Sequence, residues 1–235
     1  MSRPVIVALD LDNEKKLNEL LPKLGKPENV CIKFGMELSF NQRTKIVKQL
    51  SEQGYQIFLD LKMNDIPNTV YNGAKALARL GITYTTVHAL GGSQMIKAAK
   101  DGLIAGTPID KNVPKLLAVT ELTSISDEIL HYEQNCNLSM NDQVLSLATT
   151  AKKAGADGVI CSPLEVKNLR QKVGEDFLYV TPGIRPAGNA KDDQSRVATP
   201  LQAKEWGSTA IVVGRPITLA TDPEAAYEAI KKEFN

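Results

Sequence analysis

The chain has 235 residues with 28 Lys+Arg against 27 Asp+Glu, a formal net charge of +1, which argues against a nucleic-acid partner because such binding needs a basic excess. Hydrophobic residues make up 43% and charged residues 23%, as in an ordinary globular protein, and no apolar run approaches the roughly 20 residues that span a bilayer, so no membrane partner is expected. Three cysteines (Cys31, Cys136, Cys161) and two histidines (His88, His131) are too few and too scattered for a disulfide framework or a zinc site, and no metal is expected.

The first apolar run, residues 5–9, ends in Asp10, Asp12 and Glu14 without a small-residue cleavage site. It reads as a strand and not as a secretory signal, which gives a cytoplasmic expectation. Further short apolar, β-branched runs follow at 30–34, 56–61, 84–89, 116–122, 158–161, 178–181 and 210–213. Their near-continuous hydrophobicity fits parallel strands covered on both faces. Between them lie stretches of helical period, such as Met95, Ile96, Ala99 and Leu103, or Val144, Leu145, Leu147, Ala148 and Ala151. Ser162-Pro163-Leu164-Glu165 reads as a capping box with proline at the first helical position, and Thr199-Pro200 and Asp222-Pro223 use the same device. Eight units in 235 residues is about 29 residues each, which fits a (β/α)8 TIM barrel forming a single catalytic domain over 1–235. A doubly wound open sheet competes, but no Gly-x-Gly-x-x-Gly follows the first strand.

In a barrel the chemistry sits at the carboxyl ends of the strands. The third strand ends Asp60-Leu61-Lys62-Met63-Asn64-Asp65-Ile66-Pro67. Period-two alternation puts Asp60 and Lys62 on one face, about 6.6 Å apart along the strand. Lys33 ends the neighbouring strand, and Asp65 lies just beyond, so two cations and two anions are expected in one small region. Such an array keeps a partly buried lysine charged. Taken singly, Asp65 also reads as a helix N-cap, and Asp60 with Lys62 as a structural ion pair.

The run Asp60-Leu61-Lys62-Met63-Asn64-Asp65-Ile66-Pro67-Asn68-Thr69 resembles the Asp-x-Lys-x-x-Asp-Ile-x-x-Thr signature of the orotidine 5′-phosphate decarboxylases. Ala8-Leu9-Asp10, Lys33-Phe34-Gly35-Met36-Glu37-Leu38, Val119-Thr120-Glu121-Leu122-Thr123-Ser124, Thr181-Pro182-Gly183-Ile184-Arg185 and Val212-Val213-Gly214-Arg215 are similar to that family's other blocks, in the bacterial form and in the same order. The resemblance implies a TIM barrel that converts orotidine 5′-monophosphate to uridine 5′-monophosphate in pyrimidine biosynthesis without metal or organic cofactor. It implies Lys62 as electrostatic stabiliser and proton donor and Asp60 near the departing carboxylate. Lys33 and Asp65 would hold the array and touch the ribose. Ile66 and Thr69 join the substrate contacts. Asp65 and Thr69 are implied to reach the site of a neighbouring subunit, which makes the active unit a homodimer.

A phosphate calls for backbone N–H groups and a guanidinium, and barrels often bind it after strands seven and eight. Pro182, Arg185, Gly214 and Arg215 lie there, with Arg215 the candidate for the phosphate. The polar stretch 186–199 between them suits a loop that closes over a ligand, and by the resemblance Gln194 bridges phosphate and base. Thr123 is placed for the pyrimidine edge and equally as a strand-ending β-branched residue; Asp10 reads as a ribose hydroxyl acceptor, with a cap of the helix beginning near Asn13 as the alternative. His88 reads as a structural or pocket-lining histidine, Cys161 as a buried apolar thiol and not a nucleophile, and Trp206 as packing.

Two other readings stand beside this one. A Mg2+-dependent keto-gulonate-phosphate decarboxylase or hexulose-phosphate synthase shares the Asp-x-Lys-x-x-Asp run, but Lys33 puts a cation where its metal ligand is wanted. A catalytically silent nucleotide-binding barrel has little reason to bury two lysines with two aspartates.

Overall fold

The computed structural model describes residues 3–9, 14–35, 40–187 and 196–235. Eight strands run β1 (Val5–Ala8), β2 (Cys31–Phe34), β3 (Gln56–Met63), β4 (Tyr84–His88), β5 (Lys115–Val119), β6 (Gly158–Ile160), β7 (Leu178–Thr181) and β8 (Ala210–Val213). They pair in parallel in sequence order, and β1 closes on β8 through Val5 opposite Ile211 and Val7 opposite Val213. The barrel expected from strand spacing is therefore present.

Alternation along each strand sorts side chains between two compartments. Ile6, Ala8, Cys31, Phe58, Leu117, Val180, Ala210 and Val212 fill the barrel interior. Their neighbours Val5, Val7, Ile32 and Leu59 face outward into a helix layer that includes Leu17, Ile46, Val47 and Phe234. The ring consists of α1 (Glu14–Leu20), α2 (Phe40–Glu52), α3 (Pro67–Ala78), α4 (Gly92–Gly106), α5 (Met140–Lys153), α6 (Val166–Val173), α7 (Pro200–Trp206), α8 (Arg215–Thr218) and α9 (Pro223–Phe234). Gly102 and Gly106 let α4 lie directly on α3, since a Cβ at either would strike the carbonyl oxygens of Tyr71 or Lys75.

The expected caps form. Ser162 and Glu165 make a capping box, Thr199 makes another with Gln202, and the Asp222 side chain accepts from the Ala225 amide. The strand read as 116–122 instead ends at Val119, so Glu121 and Thr123 belong to the loop above it. Trp206 ends α7 and packs partly buried against the outer core.

Candidate active site

A cavity of about 380 Å³ opens at the carboxyl ends of the strands, within the range of small-molecule sites. Lys33, Asp60 and Lys62 enter it from β2 and β3. Thr123, Pro182 and Arg185 enter from the loops after β5 and β7, and Gly214 and Arg215 from the end of β8. Asp10 and Gln194 lie outside the described residues.

Asp60 is the centre of this array, with only 8% of its surface exposed. Its Oδ2 lies 2.8 Å from Lys62 Nζ and 3.7 Å from Lys33 Nζ. Its Oδ1 accepts a hydrogen bond from Thr86 Oγ1 at 2.8 Å. Burial alone would raise the carboxyl pKa, but the Lys33 and Lys62 ammoniums and the hydrogen bonds from Lys62 and Thr86 together hold it below the usual carboxylate range. The carboxylate is ionised at neutral pH.

The end of the strand that carries Lys62 is irregular. Leu59 pairs with Thr85 and Met63 with Val87, so four steps along β3 match two along β4. The excess is taken up as a bulge, and Lys62 adopts φ +49°. That left-handed backbone costs a non-glycine residue about 1–2 kcal/mol. The Lys62 amide donates to Thr86 Oγ1 at 2.8 Å. Asp60 and Lys62 share the cavity face, as alternation expects, while Leu61 and Met63 between and beyond them pack into the outer layers.

Asp65 does not join this group within the chain. It is exposed, and its Oδ1 accepts from the amide of the next residue, Ile66, at 2.6 Å. It is not the N-cap of α3 either: that position is Ile66, which makes no side-chain cap. Ile66 is 67% exposed, and Thr69 is exposed one turn further on. None of these three is among the residues that line the cavity of their own chain.

Two site residues gave no clear signal in the sequence. Thr86 reads as an ordinary β-branched strand residue, yet it is fully buried against the charged array. Glu121 lines the cavity, and the Gln134 and Gln143 side-chain amides each donate to it at 3.3 Å. A lone acid two residues past an apolar strand was the available clue. His88 ends β4 half-buried, and burial followed by the Lys62 charge lowers its pKa. Cys161 is buried at the cavity wall, and burial raises its thiol pKa well above the ordinary value.

The polar stretch after β7 is held at its base. Ile184 bridges Ala198, with the Arg185 amide donating to Ala198 at 2.9 Å and the Ala198 amide to Gly183 at 3.1 Å. Arg196 pairs with Glu165 and donates to the Leu122 carbonyl at 3.1 Å. No helix of the described residues is long and apolar enough to cross a membrane.

A closed parallel barrel with a buried carboxylate between two ammoniums and arginines at the β7 and β8 rim is a (β/α)8-barrel enzyme. Residues 3–230 match the model of the Orotidine 5'-phosphate decarboxylase / HUMPS family, and the chain belongs to that family. It is 97% identical over 235 residues to the orotidine 5'-phosphate decarboxylase of Lactobacillus johnsonii, with both chains fully covered. It is 49% identical over 233 residues to that of Enterococcus faecalis, covering 99% of this chain and 98% of the relative. A crystal structure of orotidine 5'-phosphate decarboxylase from Lactobacillus acidophilus superimposes with a TM-score of 0.91 at 72% identity, covering 99% of each chain.

Proposed function

We propose that the cavity binds orotidine 5′-monophosphate and releases its C6 carboxylate as CO2, giving uridine 5′-monophosphate. The observation that carries this reading is the ionised Asp60 held 2.8 Å from Lys62 Nζ inside a nucleotide-sized cavity. Among the described lining residues Lys33, Lys62, Arg185 and Arg215 outnumber the acids Asp60 and Glu121. That balance suits a ligand carrying both a carboxylate and a phosphate.

Loss of CO2 breaks the C6–carboxyl bond and leaves its electron pair on carbon. The Lys62 ammonium stabilises that charge, being in place before it develops. It then transfers one proton to C6 and is reprotonated from water. Asp60 faces the substrate carboxylate and favours its departure. Lys33 balances Asp60 on the other side and touches the ribose. Arg215 and Arg185 receive the phosphate, with Gly214 leaving its backbone open to close approach. Thr123 faces the pyrimidine edge, with Pro182 beside it. Asp10 and Gln194 take the ribose and phosphate roles the family resemblance implies.

Asp65 and Thr69 complete the site of a second copy in a homodimer, and Ile66 between them joins the substrate contacts. Their exposure at the start of α3 supports this. The eight units act as one catalytic domain in the cytoplasm, where the unpaired Cys31, Cys136 and Cys161 stay reduced. Among the described residues nothing favours a Mg2+-dependent sugar-phosphate enzyme, and the Lys33 ammonium would repel the metal.

The test is to follow the ultraviolet absorbance of orotidine 5′-monophosphate with purified protein in excess EDTA. Stoichiometric conversion to uridine 5′-monophosphate is expected. No conversion, or conversion abolished by EDTA, would overturn the reading.

A further inference from the structure

We infer that Thr86 is a positioning residue of this reaction: its one hydroxyl sets both the carboxylate of Asp60 and the backbone from which Lys62 projects. The inference rests on the decarboxylase reading and deepens it.

The direction of the hydrogen-bond chain follows from elementary chemistry. The Lys62 amide can only donate, so Thr86 Oγ1 accepts from it at 2.8 Å. The single proton of the hydroxyl is then committed to Asp60 Oδ1, also at 2.8 Å. Asp60 Oδ2 is left for the ammoniums of Lys62 and Lys33, at 2.8 and 3.7 Å. Thr86 thereby selects which carboxylate oxygen faces the reacting lysine. It also satisfies the amide at the residue whose φ is +49°, where the bulge would otherwise relax.

Thr86 is fully buried, and its partners are Asp60 and Lys62, whereas Arg185 lies in the loop after β7 and Arg215 opens α8. Replacing the hydroxyl disturbs the groups that act as charge develops on C6 and leaves the phosphate and base contacts alone. Valine has the same shape and no hydroxyl; serine has the hydroxyl without the methyl.

The experiment measures kcat and KM for orotidine 5′-monophosphate and Kd for uridine 5′-monophosphate in Thr86→Val, Thr86→Ala and Thr86→Ser. Thr86→Val and Thr86→Ala are expected to lose on the order of 10- to 100-fold in kcat, the range for a hydrogen bond to a charged group. Product Kd stays within about threefold in all variants, and Thr86→Ser keeps kcat within about threefold of wild type. If Thr86→Val does not fold, the Thr86→Ala and Thr86→Ser pair carries the same contrast. A Thr86→Val kcat within about twofold of wild type would overturn the assignment. So would a serine variant as impaired as valine, or product affinity falling in parallel with kcat, since either points to packing. Wild-type protein unable to decarboxylate the substrate would instead sink the reading of function.

Discussion

Glu165 and Arg196 join two connections that reach the cavity from different strands. Glu165 sits after β6, where its Oε2 accepts the Ser162 amide at 2.8 Å in the capping box. Its other oxygen pairs with Arg196, at the far end of the stretch that follows β7. Arg196 also reaches the Leu122 carbonyl, one residue before Thr123. One guanidinium thus ties together the loops that carry Thr123, Cys161 and Arg185.

This pair predicts a pH-dependent stability. Glu165 is 4% exposed, and burial raises its pKa although Arg196 and the Ser162 amide pull it down. A carboxyl with a raised folded pKa gives its full stability below its unfolded value and loses it as pH rises through the folded one. Removing Arg196 takes away the main opposing charge. Arg196→Met is expected to unfold in urea with about 3–5 kcal/mol less stability at pH 8, and with a smaller deficit at pH 5. Adding Glu165→Gln should recover most of the loss. An Arg196→Met deficit that is flat across this range would contradict the pairing.

Asp60 predicts the opposite sign. Its folded pKa is depressed, so its ionised form stabilises the fold above the unfolded value near 3.9 and that contribution disappears as pH falls through the folded value. Asp60→Asn is expected to be less stable than wild type by about 1–3 kcal/mol at pH 7, with the gap closing below about pH 4. Urea unfolding at a series of pH values measures it, and a gap that widens on acidification would contradict the charge state assigned here.

The exposed Asp65 predicts subunit complementation. Lys62→Ala and Asp65→Ala proteins, each inactive alone, are mixed in equal amounts and allowed to exchange subunits. Half of the dimers then carry one intact site, so activity should recover to about a quarter of wild type. A mixture as inactive as its components would show that Asp65 serves its own chain.

Most of the barrel was legible because parallel strands buried on both faces read as apolar runs, as in Val5–Ala8 and Ala210–Val213. Asp60, Lys62 and Lys33 were legible because charges at the ends of such runs demand partners. The bulge at Lys62 was not, because it depends on how β3 meets β4, with Met63 opposite Val87, and no local pattern in β3 records that register. Thr86 was hidden for the same reason: its hydroxyl matters only once the bulge brings the Lys62 amide onto it. The exposure of Asp65 was not legible, because nearness in sequence to Lys62 says nothing about the course of the turn that follows.

Single-turnover decarboxylation by Lys62→Ala, with the affinity for uridine 5′-monophosphate measured alongside, bears most directly on the role of the ammonium beside Asp60. A fall in rate on the order of 10⁴-fold or more with product binding retained is expected, since both charge stabilisation and proton delivery are lost. A rate within about tenfold of wild type would contradict it and move the chemistry to another residue.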